Sequence, residues 1–396
     1  MLSFDFSTMV DSLVRKEDLE EFRKRKDEIY DKFNNSNMIG WTKAIDDDLI
    51  EDIYSVSNRV KKNSDCLVVI GIGGSFLGSL AVTKMFTPYF NDSLFPVIYA
   101  GTTMSSKYMS ELLEYLQTVD FSVNVISKSG TTMETMITYD FIKKLMKKKY
   151  SKEEMQKRII ITTDAVSGKL REEVNNNLYT SFMIPEDIGG RYSIMTAAHL
   201  FVLSFNIDIR KFVKGYYQGK KYIDDAYNYA VVRNSLFRRG KYIENFCIYE
   251  ERLYYFTEWL KQLFGESEGK NNKGIFPVST VHTRDLHSLG QFIQEGNKIV
   301  FETFIKILNS DKVIYNNKNL HEVNNIVLES VRKAHYSGDV ACNLITLDEV
   351  NEETVGELMY FFMMSAAFSG LLFNINPFDQ PGVEVYKKEV RDNLVF

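Results

Sequence analysis

The stretch DCLVVIGIGGSFLGSLAV, residues 65–82, reads as a strand, a glycine-rich turn and the start of a helix. Cys66 to Ile70 are apolar without alternation, the pattern of a strand covered on both faces. Working outward, the pattern recurs. PVIYAGTT (96–103) is a short strand followed by helical SSKYMSELLEYLQ (105–117). FSVNVISKSGTT (121–132) is a strand and turn followed by METMITYDFIKKLMKKK (133–149), and KRIIITTD (157–164) is a fourth strand. Strands alternating with helices imply a parallel sheet flanked by helices, in a first α/β domain over 63–205. A second alternation has strands in KYIENFCIYE (241–250), GIFPVSTV (274–281), NKIVFETFIKI (297–307) and NLITLDEV (343–350). Helical LYYFTEWLKQLFGESEGK (253–270) lies among them, giving a second α/β domain over 206–396 that closes with C-terminal helices. Residues 1–62 read as a helical segment that packs on the second domain. In it VRKEDLEEFRKRKDEIYDKF (14–33) sets Glu20 before Lys24 and Glu21 before Arg25, the favourable order for i,i+4 pairs. Such a charge run is a solvated helix face and suggests no function.

Composition narrows the function classes. The chain has 396 residues, 44% of them hydrophobic and 26% charged, enough apolar material for large cores and against wholesale disorder. Lys and Arg number 48 against 53 Asp and Glu, a net charge of −5, which lacks the basic footprint of a nucleic-acid binder. Three widely spaced cysteines, Cys66, Cys247 and Cys342, offer neither a disulfide framework nor a CxxC metal pair. They read as buried thiols in a reducing compartment, and the N-terminus has no signal-peptide pattern, so a cytoplasmic location is expected. Residues 358–378 carry no charge and are long enough to cross a bilayer. Ser365, Ser369, Gly370, Asn374 and Asn376 interrupt them and the acidic LDEVNEETVGE (347–357) precedes them, so a helix buried all round in a large domain is expected, with no membrane role.

The glycine turn is not a nucleotide fingerprint. Gly71 and Gly73 are followed by Phe76 where a dinucleotide motif needs its third glycine, and the second strand ends in Ala100-Gly101-Thr102-Thr103 without a carboxylate for a ribose. Gly78 is followed by Ser79 and Leu80 rather than the Lys-Ser/Thr that ends a Walker A loop. Gly73, Gly74 and Ser75 do let backbone N–H groups approach an anion or a polyol oxygen at a helix start, although a bare tight turn explains them equally well. The turn Ser127-Lys128-Ser129-Gly130-Thr131-Thr132 says more. Four hydroxyls, free amides and one cation in six residues suit a phosphate monoester, where a plain helix cap needs a single hydroxyl.

Candidates for chemistry lie elsewhere. Glu266, beside Gly265 near a helix end and four residues after Gln262, is placed to remove a proton from carbon; taken alone, a surface Glu explains it better. His287 suits proton transfer or an ordinary structural role, and with His282 five residues before it there is no shared helix face for a zinc pair. Arg191, after Gly189-Gly190, suits stabilisation of an oxyanion, or a structural ion pair. Pro377, Pro381 and Gly382 set a sharp turn that presents Gln380 and, further along the helix, Lys387.

Taken together, IGIGGSFLGS, ISKSGTTMET, EDIGGRYS, QLFGESEGK, TRDLHSLGQF and NPFDQPGVEVYKK, in this order over residues 70–388, closely resemble glucose-6-phosphate isomerases of the shorter bacterial type. The resemblance implies two sugar-isomerase (SIS) domains, each a flavodoxin-like parallel sheet with flanking helices. It implies interconversion of glucose 6-phosphate and fructose 6-phosphate, in glycolysis and gluconeogenesis, through ring opening and a cis-enediolate, with no metal and no organic cofactor. By the same resemblance Ser127, Lys128, Ser129, Thr131 and Thr132 hold the phosphate, and Gly74 and Ser75 contact the sugar. His287 and Lys387 open the ring, Glu266 shuttles the proton between C2 and C1, Arg191 stabilises the enediolate, and Gln262 and Gln380 position the substrate. It further implies a homodimer in which the histidine reaches the site from the neighbouring subunit. An isomerase of another phosphosugar such as mannose 6-phosphate, and a sugar-phosphate sensor that binds without reacting, are the alternatives. Glu268 stands where many members have Asn, and the added charge is expected to raise the pKa of Glu266.

Overall fold

The computed structural model describes residues 1–90 and 94–394. The chain divides into two compact units, Met1–Ser36 with Gly215–Phe396, and Asn37–Lys214. The strands are β1 (Leu2–Asp5), β2 (Cys66–Ile70), β3 (Val97–Ala100), β4 (Phe121–Ile126), β5 (Ile159–Thr163), β6 (Thr180–Met183), β7 (Ile243–Ile248), β8 (Phe276–Val281), β9 (Val300–Ile307), β10 (Ile314–Tyr315), β11 (Lys318–Asn319) and β12 (Cys342–Leu347).

The unit Asn37–Lys214 is built on a parallel sheet of order β3-β2-β4-β5-β6. The uninterrupted apolar runs of β2, β4 and β5 are wholly buried, whereas the edge strands β3 and β6 are partly exposed. In order along the chain this is 2-1-3-4-5, the flavodoxin-like winding. The winding reverses between β2 and β4, and the loops that leave these two strands flank the crevice where such sheets bind ligands. Those loops are the glycine turn and the hydroxyl-rich turn.

The other unit carries the sheet β1-β12-β9-β7-β8. Strands β8, β7, β9 and β12 are parallel and repeat the 2-1-3-4 winding, and β1 closes the edge antiparallel to β12, Leu2 opposite Leu347. The helix Glu352–Leu372 starts with a capping box between Asn351 and Thr354. It packs on the helices Ile223–Arg238 and Tyr254–Glu268. It is the one helix among the described residues long and apolar enough to cross a membrane, and 94% of its apolar window is buried in the protein. All three cysteines are buried and unpaired.

Two differences from the sequence reading concern residues 1–62. Leu2–Asp5 is a strand, too short for its alternation to stand out from a helical neighbourhood. The boundary also falls at Ser36 rather than at 62. The helix Asp47–Asn63, capped by the Asp46 side chain on the Asp48 N–H, buries Ile50, Ile53 and Val60. That stripe packs on the helix Ala197–Leu203 and on β4, which places it with the first sheet.

Candidate active site

At the carboxyl edge of the first sheet, Ser127 follows β4 and Thr132 precedes the helix Met133–Lys149. Gly130 turns the loop with φ of +63°, and a Cβ there would stand 2.9 Å from the Leu170 nitrogen. The hydroxyls are tied to one another. Ser127 Oγ lies 3.2 Å from Thr132 Oγ1 and accepts from the Gly130 N–H at 3.1 Å, and Ser129 Oγ lies 2.8 Å from Thr131 Oγ1. Thr132 occupies the N-cap position, yet its side chain turns to Ser127 rather than to the helix amides. This is the start of a seventeen-residue helix lined by hydroxyls, a favourable place for a phosphate. The Lys128 ammonium donates to the carbonyls of Pro185 and Glu186, at 3.2 and 3.0 Å. The cation thus ties this loop to the segment that leads to Arg191.

Gly74 and Gly190 explain how that segment meets the glycine turn. A Cβ on Gly74 would stand 2.2 Å from the Gly190 carbonyl carbon, so the two backbones touch. Ser193 donates to the Gly190 carbonyl at 2.6 Å. His199, 1% exposed, closes the network. Its Nδ1 accepts from the Ser79 N–H at 3.0 Å, which leaves the proton on Nε2 to donate to the Gly74 carbonyl at 2.8 Å. Burial lowers the His199 pKa to about 4, so the ring is neutral at physiological pH. Arg191 is buried with its guanidinium 5.5 Å from the Tyr192 ring centre, and Tyr192 in turn stacks on Trp41. The unit therefore gathers Gly74, Ser75, Ser127, Lys128, Ser129, Thr131, Thr132 and Arg191 at one sheet edge. Ser193 and His199 were missed by sequence reasoning. Ser193 lies inside EDIGGRYS, whereas His199 stands in an apolar run with no local sign of its partners.

The other unit carries the remaining candidates. Gln262 donates from Nε2 to Glu266 Oε1 at 3.1 Å, across one turn of the helix Tyr254–Glu268. Lys270, also missed, ties this helix end to the turn that bears Gln380: it donates to the carbonyls of Asn376 and Asp379 and pairs with the Asp379 carboxylate at 2.8 Å. Gly370 fits beneath, where a Cβ would stand 2.9 Å from the Pro377 Cβ. Lys387, on the helix Val383–Asn393, pairs with Glu384 at 2.9 Å.

Glu268 behaves otherwise than expected. Its carboxylate is fully buried and bonded to Arg233, which also holds Glu244 at 2.7 Å and Ser369 at 2.8 Å. The extra charge is directed into the core and met by a guanidinium, not turned upon Glu266.

His287 is exposed at the start of the helix Leu286–Glu295, beyond the carboxyl end of β8. Glu266 lies at the other end of that strand, because Gly265 faces Pro277 near its start. At about 3.3 Å per residue, the strand separates the two by on the order of 15 Å.

The family model of phosphoglucose isomerase matches residues 43–330. A glucose-6-phosphate isomerase of Staphylococcus aureus is 41% identical over 382 residues, covering 90% of this chain and 86% of that protein. Among solved structures, a hypothetical protein from Thermus thermophilus aligns with a TM-score of 0.84 at 25% identity, covering 100% of both chains. A glucose-6-phosphate isomerase from Chlamydia trachomatis aligns with a TM-score of 0.75 at 23% identity, covering 87% of this chain and 71% of that one. At this identity the latter likeness speaks for the fold, two flavodoxin-like sugar-isomerase domains.

Proposed function

The chain belongs to the phosphoglucose isomerase family, and on that premise we propose that it interconverts glucose 6-phosphate and fructose 6-phosphate through a cis-enediolate. The observation that carries the reading is the pairing of Glu266 with Gln262 on a helix end braced by Lys270, in a chain whose other unit offers a hydroxyl-lined helix start.

Ser127, Ser129, Thr131, Thr132 and the amides around them hold the phosphate dianion. Lys128 serves this by clamping the loop, its ammonium being spent on backbone carbonyls. With the sugar ring opened by His287 and Lys387 acting on the ring oxygen and its hydroxyl, Glu266 removes the proton from C2. The electron pair moves to the carbonyl at C1, leaving an enediolate oxygen whose charge Arg191 stabilises. Glu266 then returns the proton to C1 while the C2 hydroxyl proton passes to the C1 oxygen, which yields the ketose with all atoms conserved. Gln262 and Gln380 position the substrate hydroxyls, and Gly74 and Ser75 bring backbone against the sugar.

We propose that the working enzyme is a cytoplasmic homodimer in which His287 comes from the partner subunit. The span of β8 between Glu266 and His287 supports this, as does the exposure of Leu289 (47%) and Phe292 (48%) on the helix that carries His287. The test is glucose 6-phosphate formation from fructose 6-phosphate by the purified full chain, with mannose 6-phosphate assayed in parallel. Turnover of the first pair is the expected result. Activity confined to the mannose substrate, or phosphosugar binding without turnover, would replace the reading with another isomerase or a sensor.

A further inference from the structure

One face of the second sheet carries a buried cluster that the isomerase reaction does not use. Cys247 on β7, Glu302 on β9 and His282 just after β8 are 0%, 0% and 4% exposed. The Cys247 sulfur, a Glu302 carboxylate oxygen and a His282 ring nitrogen all lie within 4.8 Å of one another. The parallel ladders account for the convergence: Cys247 pairs with Thr280 of β8, and Asn245, two residues earlier on the same face of β7, pairs with Glu302.

We propose that Cys247, His282 and Glu302 bind a divalent transition-metal ion of the zinc class, as a structural site inside this unit. Thiolate, imidazole and carboxylate are the three donor types zinc accepts, and three protein donors leave a fourth position for a further ligand. The cluster has the outer partners such sites use. His335 Nδ1 lies 2.6 Å from Glu302 Oε2, and Asn245 Nδ2 donates to Glu302 Oε1 at 3.0 Å. The Tyr249 hydroxyl lies 3.3 Å from His282 Nδ1. The imidazole is also left short of partners, for the buried Nε2 has none. A buried nitrogen without a partner calls for an explanation, and a bound ion supplies one. Charge balances as well. Binding replaces the thiol proton, which is released to solvent, and the dication faces one thiolate and one carboxylate. Because the site is closed to solvent, metal enters as the chain folds.

The competing account is a metal-free network in which the Cys247 thiol donates to Glu302, a contact of 3.2 Å in this structure. The two are separated by metal content. The full chain, produced with added zinc and desalted, is expected to hold about one zinc per chain by elemental analysis. Refolding with cobalt(II) alone is expected to give a thiolate-to-cobalt absorption band in the near ultraviolet and the visible bands of a low-coordinate site. Cys247→Ser is expected to lose both, and Cys66→Ser, a buried thiol in the other unit, to keep both. Should Cys247→Ser fail to fold, Glu302→Gln with its weaker donor is expected to lower the zinc content several-fold. Wild-type protein free of zinc and without a cobalt–thiolate band, or a Cys247→Ser chain that retains full metal, would overturn the proposal. Isomerase activity is measured beside these, so the loss of one reading leaves the other standing.

Discussion

His199 shows what one neutral side chain does for the turns at the carboxyl edge of the first sheet. Its two nitrogens join the helix after β2 to the Gly74 carbonyl, and protonation of Nδ1 would break the bond from Ser79. Its pKa is about 4 in the folded chain against 6.5 for the free side chain. The unfolded chain therefore takes up the proton first as pH falls, and the folded state loses stability progressively below pH 6.5, down to about pH 4. The loss amounts to roughly 3 kcal/mol at the lower end. Denaturation midpoints of wild type and His199→Gln, measured from about pH 7 to about pH 4.5, should converge as pH falls; parallel curves would show that His199 does not carry the effect. Two further residues are tested by kinetics. Glu266→Gln should bind substrate yet lose kcat by about 10²–10⁴-fold, with an unchanged circular dichroism spectrum; near wild-type turnover would remove Glu266 from its role. Thr132→Ala should raise KM roughly tenfold with little change in kcat, since under the proposed function it removes one bond to a charged phosphate in ground and transition state alike. The local contacts of these two, Gln262 with Glu266 and Ser127 with Thr132, were within reach of the sequence because their neighbours in sequence are their neighbours in space. His199 was not, since its partners Gly74 and Ser79 lie 125 and 120 residues away.

At the scale of elements, the helix Tyr254–Glu268 serves two tasks at its last turn. Gln262 and Glu266 share one side, while Glu268 turns to the opposite side and enters the core against Arg233 from the helix Ile223–Arg238. A 3.6-residue period places positions 266 and 268 roughly 200° apart, so the divergence follows from helix geometry. What sequence could not supply was Arg233, 35 residues upstream. Arg233→Met should strand Glu244 and Glu268 in the core and lower the unfolding free energy by about 3–5 kcal/mol, measured by urea titration. A smaller loss in Arg233→Lys would show that charge matters more than the guanidinium's fork. An unchanged urea midpoint in Arg233→Met would mean that the carboxylates are protonated and the pair adds nothing. The parallel strands β2, β4 and β5 were legible as unbroken apolar runs, whereas β1 was hidden by its length and its edge position.

At the scale of the whole molecule, the proposed sharing of His287 makes a quantitative forecast. Glu266→Gln and His287→Ala chains should each be inactive as homodimers. Co-expressed, they should form mixed dimers with one intact site out of two, and random pairing should restore about a quarter of wild-type activity. No recovery from verified mixed dimers would mean that each chain supplies its own histidine.

Sequence alone determined the two α/β alternations, the hydroxyl-rich turn and the family, because each rests on local periodicity or on contiguous motifs. Tertiary structure decided which side chains meet. It set the unit boundary at Ser36, turned Lys128 onto backbone carbonyls, buried Glu268 on Arg233, and collected Cys247, His282 and Glu302 from three neighbouring strands and their ends. The physical reason is that a parallel sheet brings together residues separated by whole crossover helices, and no periodicity along the chain records which of them share a face across the ladder.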